Sequence, residues 1–164
     1  MMIRPALPAD AQDIARIYNY YILNSVISFE EQVVTAQAMV ERLNEVGAAS
    51  LPWIVVERSG SVVGFAYASR WKDRSAYHYS VESTIYLESA VLGAGYGTQL
   101  YQSLLTELRR KEVHTVIGGV ALPNPASIRL HEKLGFRKVA HFKEVGFKFG
   151  RWVDVGYWQL TFPE

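Results

Sequence analysis

The sequence predicts a single-domain α/β (α+β) fold, built on a mixed sheet with helices on both faces. Its 164 residues fit one domain, and an apolar fraction of 49% supplies a core of matching size. Apolar residues switch between a period of two and a period of 3.6, which gives the order β α α β β β α β α β β. Because no linker or internal repeat divides the chain, we expect one domain over residues 1–164.

The first part of the chain is predicted to form one strand and two helices. Residues 1–6 form the strand, and Pro8 opens a helix over about 8–23. The apolar face of that helix comprises Ile14, Ile17, Tyr18, Tyr21 and Ile22. Thr35 is suited to cap a second helix, which Gly47 ends. The apolar face of this helix comprises Met39, Leu43 and Val46.

Three strands follow in the middle of the chain. Residues 53–58 and 62–71 are predicted strands joined by a hairpin turn at Ser59-Gly60. The third strand covers 80–87, and its side chains alternate between two faces. One face carries Glu82, Thr84 and Tyr86, and the other carries Val81, Ser83, Ile85 and Leu87.

The last part of the chain alternates helices and strands. A helix over about 96–111 is followed by a strand over 115–121. The helix buries Leu100, Leu104, Leu105 and Leu108. Asn124 as N-cap, Pro125 as first residue and Gly135 as C-terminal stop then bracket a helix of about ten residues.

The tail is rich in aromatic residues. Residues 136–162 are predicted to form two long strands that turn at Phe149-Gly150. The aromatic residues are Phe147, Phe149, Trp152, Tyr157 and Trp158. If they are partly exposed they indicate a homodimer, and a place in the core is the alternative.

Composition excludes several classes of function. The 17 basic and 16 acidic residues give a net charge of +1 without a block of like charges, so neither a nucleic-acid partner nor a membrane surface is expected. The absence of cysteine excludes disulfides, thiolate metal sites and a cysteine nucleophile. The four histidines lack ligand spacing, so no metal is expected. The N-terminus has no signal-peptide pattern and no apolar run reaches a membrane span of about 20 residues, which favours a cytoplasmic location.

A glycine-rich turn between a strand and a helix is the main functional feature. Gly93, Gly95 and Gly97 let the backbone amides converge, and the helix that follows adds its positive dipole end. This pattern is typical of a phosphate cradle, although an ordinary flexible turn is the alternative. Thr98-Gln99 takes the place of the Lys-Ser/Thr pair of a Walker loop, and the mid-chain position differs from that of a Rossmann fingerprint.

The element order together with this turn resembles the GNAT N-acetyltransferase superfamily over essentially the whole chain. The runs AYASRWKDRSAYHYSVESTIYL, ALPNPASIRLHEKLGF and GFKFGRWVDVGYWQL are similar to its phosphinothricin and methionine sulfoximine N-acetyltransferase branch. The resemblance implies a mostly antiparallel sheet that is splayed at the cofactor site. It also implies acetyl-CoA as co-substrate, without a metal.

The resemblance assigns the cofactor site to three segments. The backbone of Ile85, Tyr86 and Leu87 pairs with the pantetheine arm. The turn that binds pyrophosphate comprises Leu92, Gly93, Ala94, Gly95, Tyr96, Gly97 and Thr98. Leu92 stands where the family has Gln or Arg, and we expect a modest loss of affinity because backbone amides do most of the binding. Asn124 and Ser127 complete the site, with a plain N-cap as the alternative role of Asn124.

The resemblance also assigns the catalytic groups. Glu82 matches the general base that deprotonates the incoming amine, and burial would raise its pKa toward a useful range. His131 stands where many relatives carry a tyrosine general acid, and a packing role is its alternative. An aligned amine can attack the thioester directly, with a backbone N–H near Tyr86 or Leu87 stabilising the oxyanion.

The acceptor site is expected on the loops beside this strand. Lys72, Arg74 and Tyr77 match positions around an amino-acid-like substrate, and a solvated loop is the alternative. Thr84 and Tyr86 project beside Glu82. Phe29 supplies an apolar wall from the irregular segment 24–33.

These features predict an acetyl-CoA-dependent N-acetyltransferase for the α-amine of phosphinothricin, methionine sulfoximine or methionine sulfone. The first alternative is another amine, such as a polyamine, an aminoglycoside or a protein N-terminus. The others are a non-catalytic acyl-CoA-binding protein and a nucleotide-binding module.

Overall fold

A seven-stranded sheet runs through the protein, whose structure is a computed structural model that describes residues 1–164. The strands are β1 (Met2–Pro5), β2 (Trp53–Arg58), β3 (Ser61–Arg70), β4 (Ser80–Leu87), β5 (Thr115–Ala121), β6 (Arg137–Lys148) and β7 (Arg151–Thr161). Their order across the sheet is β1-β2-β3-β4-β5-β7-β6, and only β4 and β5 pair in parallel. The predicted mixed, mostly antiparallel sheet is confirmed.

Four α-helices connect the strands. They are α1 (Ala11–Asn24), α2 (Ala36–Ala48), α3 (Tyr96–Arg110) and α4 (Pro125–Lys133). The first begins later than predicted, because Pro8–Asp10 forms a separate 3-10 turn in which the Asp10 carboxylate accepts the Leu7 amide at 2.7 Å. The predicted order of helices and strands is otherwise reproduced. None of the helices is long and apolar enough to cross a membrane.

The helices cover both faces of the sheet, as predicted. On one face, α3 buries Leu100, Leu104 and Leu108 against β-strand residues that include Val56 and Val116. On the other face, α1 and α2 bury a second cluster that includes Ile14, Ile17, Met39, Val55 and Phe65. Each such side chain contributes about 1.5–3 kcal/mol relative to an exposed one, so burial on both faces holds the sheet in place.

The fourth helix lies on the same face as α3. The ring of His131 on α4 is 5.2 Å from that of Tyr101 on α3 and 5.1 Å from that of Phe136. A Cβ on Gly118 of β5 would lie only 2.5 Å from the His131 ring nitrogen. Glycine at this position therefore allows α4 to approach the sheet closely.

The sheet is splayed between β4 and β5. These strands pair over three residues only, Ser80–Glu82 against Thr115–Ile117. Beyond this point β5 continues to pair with β7 as far as Ala121, whereas β4 continues beside β3 alone as far as Leu87. The second half of β4 thus has a free side that faces a gap in the sheet.

Both predicted hairpin turns are present. Ser59 and Gly60 have φ angles of 52° and 80°, and Phe149 and Gly150 have φ angles of 53° and 72°. Two successive residues with positive φ match the twist of the strands that they connect.

The tail aromatics divide between core and surface. Trp158 is 2% exposed and belongs to the core, whereas Phe147, Phe149 and Trp152 are 56%, 60% and 61% exposed. Both environments considered from the sequence, core and exposed surface, are therefore present on different residues of one hairpin.

Thr35 provides a test of the local determinants of α2. Its hydroxyl oxygen accepts the Ala38 amide at 3.0 Å, and the loss of such a cap costs about 1 kcal/mol. We expect Thr35→Ala to lower Tm by about 2–4 °C, measured by thermal denaturation. Thr35→Ser, which keeps the hydroxyl, should retain most of the stability, and equal losses in both variants would contradict a capping role.

Candidate active site

The glycine-rich turn forms an array of unpaired backbone donors. Gly93 and Gly95 have φ angles of 79° and 87°, and no atom lies within 4 Å of a Cβ built on either. The amides from Gly93 to Thr98 donate to no carbonyl, because the first helical bond of α3 is from Gln99 to Gly95 and no side chain caps the helix. Such an array at a helix N-terminus suits an anion.

Gly97, the third glycine of the turn, is required for close packing. A Cβ on Gly97 would lie 3.3 Å from Leu87 and 3.6 Å from Leu130. Glycine here lets α3 begin close to both β4 and α4. Tyr96 packs against the core with its side chain, so only its backbone is available in the turn.

A cavity of about 480 Å³ adjoins the turn on the α3/α4 side of the sheet. Its lining includes ten of the predicted cofactor residues: Ile85, Tyr86, Leu87, Leu92, Gly93, Gly95, Gly97, Thr98, Asn124 and Ser127. Arg129 and Lys133 of α4 also line it, and sequence analysis missed both. Their spacing of four residues on an exposed helix face was the available signal. They bring positive charge to a cavity in which Leu92 brings none.

The backbone of β4 presents alternate residues to the gap. The Glu88 amide donates to Val63 of β3 at 2.7 Å, so Tyr86 and Thr84 also direct their backbone groups toward β3. Ile85 and Leu87 direct theirs into the gap, where the Tyr21 hydroxyl donates to the Leu87 carbonyl. The predicted backbone role is thus available to Ile85 and Leu87, whereas Tyr86 lines the cavity with its side chain.

A small cavity of about 140 Å³ passes through the gap. It is lined from β4 by Glu82, Thr84 and Tyr86 and from α4 by Ser127 and His131, and Asn124 also contacts it. It shares Asn124 and Ser127 with the cavity beside the glycine turn. It shares Gly119 and Ala121 with a third cavity on the α1/α2 face. The three cavities therefore adjoin one another from one face of the sheet to the other, and this series of cavities is called the passage below.

Glu82 lies in this passage without a partner. Its carboxylate takes part in no hydrogen bond or ion pair within the chain. Burial raises its pKa, and the positive charge of Lys72 opposes that effect. A partly buried, unpaired carboxyl with a raised pKa is well placed to accept a proton.

His131 does not have the environment expected of a general acid. It is 4% exposed, and its Nδ1 lies 2.7 Å from the Ser127 carbonyl oxygen, which can only accept, so Nδ1 carries the hydrogen. Burial lowers its pKa, which favours the neutral ring. The geometry supports the alternative role, packing between Tyr101 and Phe136, because a neutral ring with hydrogen on Nδ1 has no proton to give from Nε2.

The third cavity, of about 460 Å³, has mostly aromatic and apolar walls. Its lining comprises Tyr18, Ile27, Ser28, Phe29, Glu30, Tyr86, Gly119, Ala121, Val155 and Tyr157. Phe29 lies in the wall, as expected. Glu30 is neutralised by Arg42 through two bonds of 2.6 and 2.9 Å, and it also accepts the Tyr18 hydroxyl.

Two tyrosines of this cavity were assigned to other roles from the sequence. Tyr18 followed the helical apolar pattern, and Tyr157 belonged to the aromatic tail. Tyr157 packs on Gly119, where a Cβ would lie 3.1 Å from its ring. The negative charge of Glu82 contributes to a raised pKa of Tyr157, after burial, so the two groups are neighbours.

Lys72, Arg74 and Tyr77 are exposed and line none of these three cavities. Lys72 lies over the ring of Trp71 at 5.1 Å, and Trp71 packs on Tyr157, so Lys72 is near the acceptor side. Arg74 instead lies over the Tyr77 ring at 6.0 Å, because Ser75–Tyr77 turns as an exposed 3-10 segment. The structure therefore favours the solvated-loop alternative for Arg74 and Tyr77.

Volume alone does not identify the site. The largest cavity, about 700 Å³, lies beside β1 and the ends of α2 and α3, and its Arg4 is occupied by Asp10 and Glu57. No group of three or more His, Cys, Asp or Glu side chains could hold a metal ion.

Curated proteins match this chain over nearly its whole length. A phosphinothricin N-acetyltransferase of Streptomyces viridochromogenes is 39% identical over 160 residues, covering 98% of this chain and 87% of that protein. A methionine sulfoximine/methionine sulfone acetyltransferase of Salmonella typhimurium is 35% identical over 164 residues, covering 100% and 96%.

Solved structures share the fold closely. A ribosomal-protein-alanine N-acetyltransferase of Brucella melitensis superposes with a TM-score of 0.97 at 33% identity, covering 99% of this chain and 100% of that one. A phosphinothricin acetyltransferase of Sinorhizobium meliloti in complex with acetyl-CoA gives 0.94 at 34% identity, covering 98% and 87%. The family model of the GNAT acetyltransferase domain matches residues 3–156. Because this model spans most of the chain and the relatives match nearly its whole length, the chain belongs to the GNAT acetyltransferase family.

Proposed function

We propose that the protein is an acetyl-CoA-dependent N-acetyltransferase that acts on the α-amine of a small amino-acid-like molecule, with one catalytic domain over residues 1–164. The observation that carries this proposal is the passage through the sheet. It joins a site for an anionic ligand on one face to an aromatic cavity on the other, with Glu82 between them.

The residues on the α3/α4 side fit acetyl-CoA. The unpaired amides of residues 93–98, with Arg129 and Lys133 nearby, suit phosphate groups. Ile85 and the Leu87 amide direct backbone groups into the gap, where they suit an extended amide-bearing chain that binds as it would to a strand edge; the Leu87 carbonyl already accepts the Tyr21 hydroxyl. Asn124 accepts the Ser127 amide at 3.2 Å as an N-cap, which leaves its amide nitrogen free to donate. Acetyl-CoA supplies an acetyl thioester that an amine can attack directly.

Glu82 acts as the general base in this proposal. An α-amine is mostly protonated near neutral pH and cannot attack until its nitrogen loses a proton. The Glu82 carboxylate would accept that proton, and the freed lone pair would form a C–N bond to the thioester carbonyl carbon as the C–S bond breaks. CoA would leave as the thiolate, which takes up the second proton that the new amide nitrogen loses. Burial raises the pKa of Glu82, and the positive charge of Lys72 opposes that effect by favouring the ionised carboxylate.

The acceptor cavity favours an uncharged side chain. Its walls are aromatic and its only acid, Glu30, is paired with Arg42. A polyamine or aminoglycoside would require unpaired carboxylates in the cavity wall, and this wall has none. The wall therefore supports an acceptor such as phosphinothricin, methionine sulfoximine or methionine sulfone, for which the curated relatives are named. Since the Brucella melitensis structure is named for a protein substrate, an N-terminal peptide is the second candidate acceptor.

The acceptor class is tested by release of free CoA thiol from acetyl-CoA. The panel contains methionine sulfoximine, methionine sulfone, phosphinothricin, methionine, spermidine and an alanyl peptide. We expect the highest kcat/KM among the first four, and a preference for spermidine or the peptide would refute the proposed acceptor.

Glu82→Gln tests the base. We expect turnover to fall by about 10²–10⁴-fold, because general-base catalysis is lost, while the Kd for CoA measured by calorimetry is unchanged. Glu88→Gln is the matched control, since Glu88 immediately follows the same strand but is paired with Arg16. Full turnover in Glu82→Gln would exclude a catalytic carboxylate here.

The stability of Glu82→Gln relative to the parent protein should also depend on pH. Burial raises the pKa of Glu82 in the folded chain above its ordinary value of 4.5, so ionisation above that pH destabilises the folded state. Thermal denaturation should therefore show Glu82→Gln more stable than the parent at pH 7, with the difference shrinking as the pH falls toward 4.5. A difference independent of pH would contradict the raised pKa.

The exposed end of the β6–β7 hairpin supports a homodimer. β6 is the edge of the sheet, and Phe147 and Trp152 face each other across the hairpin at 4.8 Å with both rings exposed. A second copy of the chain, related by two-fold symmetry, can cover this exposed apolar surface. The cytoplasmic location and the absence of a nucleic-acid partner expected from the sequence stay predictions.

The dimer is tested by light scattering after size exclusion. We expect about twice the chain mass for the parent protein and the chain mass for Phe147→Asp/Trp152→Asp, because charge opposes burial of this surface. Leu23→Asp, which changes an exposed apolar residue of α1, serves as the control. A parent protein that is monomeric at high concentration would refute the dimer.

A further inference from the structure

The segment that walls the acceptor cavity lies against β6. Ile27, Ser28 and Phe29 all line that cavity, and none of them belongs to a helix or strand. Such a segment needs support from elsewhere in the fold if the wall is to keep its shape. Two residues of β6, Gly146 and Lys148, contact it directly.

Gly146 provides the space that the Phe29 ring occupies. A Cβ on Gly146 would overlap two atoms of that ring, Cε2 and Cζ, and would lie 3.1 Å from a third, Cε1. Any side chain at 146 must therefore displace the ring or the strand. Because β6 is paired with β7 through Gly146 and Val153, whereas Phe29 is 43% exposed, the ring is the part that can move.

Lys148 holds the backbone of the same segment. Its ammonium group donates to the Ser28 carbonyl oxygen at 2.6 Å, and the residue is only 1% exposed. A buried lysine is uncommon and needs hydrogen bonds or opposite charges to compensate for lost hydration. The carboxylates of Glu30 and Glu31 provide such charges. The bond thus joins β6 to the acceptor wall across 120 residues of sequence.

An irregularity in β6 sets the direction of these two residues. Between the pairs Phe142–Val155 and Gly146–Val153, β6 advances four residues while β7 advances two. Within this bulge Glu144 has a φ of 52°. After the bulge, Gly146 and Lys148 are buried while Phe147 is exposed. Bulges reorient side chains in this way, often beside binding sites.

We propose that Gly146 and Lys148 are positioning residues that fix the Phe29 wall and thereby set the affinity for the acceptor. This inference rests on the proposed function, because it assigns the acceptor to the cavity that Phe29 lines. Neither residue contacts the passage that contains Glu82. Their effect is therefore on acceptor binding, and the binding of CoA is independent of them.

Gly146→Ala tests the space for the ring. With the best acceptor of the panel we expect the acceptor KM to rise about tenfold, which is the low end of the effect of a changed pocket wall. The KM for acetyl-CoA should stay within about twofold of the parent value. Gly47→Ala is the matched control, because no atom lies within 4 Å of a Cβ at that helical position. An unchanged acceptor KM in Gly146→Ala would overturn the inference.

A double-mutant cycle shows whether Gly146 acts through Phe29. In a Phe29→Ala background the ring is absent, so the further change Gly146→Ala should raise the acceptor KM by less than about twofold. The same tenfold rise in both backgrounds would overturn the inference, since the effect would then bypass the ring.

Lys148→Met tests the backbone support, with Lys143→Met of the same strand as its exposed control. We expect a rise in acceptor KM for Lys148→Met alone, and an equal acceptor KM in the two variants would contradict a role for the Ser28 contact.

Crystal structures of Gly146→Ala and Lys148→Met provide a readout that does not depend on activity: Phe29 or Ser28 should shift while β6 keeps its register. If Phe29 does not move in Gly146→Ala, the inference is wrong, whether or not an acceptor has been found. If instead the parent protein has no acetyltransferase activity but Phe29 is displaced in Gly146→Ala, only the proposed function is wrong.

Discussion

The short pairing of β4 with β5 is the constraint on which the rest of the structure depends. Three paired residues hold the two strands together, and beyond Glu82 they diverge. A sheet paired along its whole length would leave no backbone groups free and no route between its faces. The divergence produces both, since Ile85 and Leu87 direct polar groups into the gap and a cavity passes beside them.

The two faces of the sheet then supply different chemistry. The α3/α4 face offers backbone amides at the N-terminus of α3 and two cations of α4 in the same cavity, which suits an anion. The α1/α2 face offers aromatic rings and a neutralised acid, which suits an uncharged group. Glu82 lies where these environments meet. A carboxyl between them can act on a molecule from one face while another is held on the opposite face, which is the geometry that transfer between two substrates requires.

Glycine and lysine residues far apart in sequence support this arrangement. Gly97 and Gly118 let α3 and α4 approach the strands, and Gly146 leaves room for a ring from the segment before α2. Lys148 is buried although its charge opposes burial. Features that reduce stability locally are common where a site must keep its shape. Here they lie around the passage and the acceptor wall, and the two core clusters carry the stability.

Several features follow from local periodicity and backbone preference, so they can be predicted from the amino-acid sequence alone. They are the element order, the hairpin turns at Gly60 and Gly150, the glycine turn before α3 and the place of Glu82 on β4. Tertiary packing alone buries His131 with its Nδ1 against a backbone carbonyl and leaves Arg74 and Tyr77 exposed, outside the three cavities. It also brings Tyr157, Arg129 and Lys133 into the walls of two of those cavities. These roles depend on burial and on contacts between distant segments. No local pattern contains that information, since the same residue types occur equally on a packed face, a solvated loop and a binding wall.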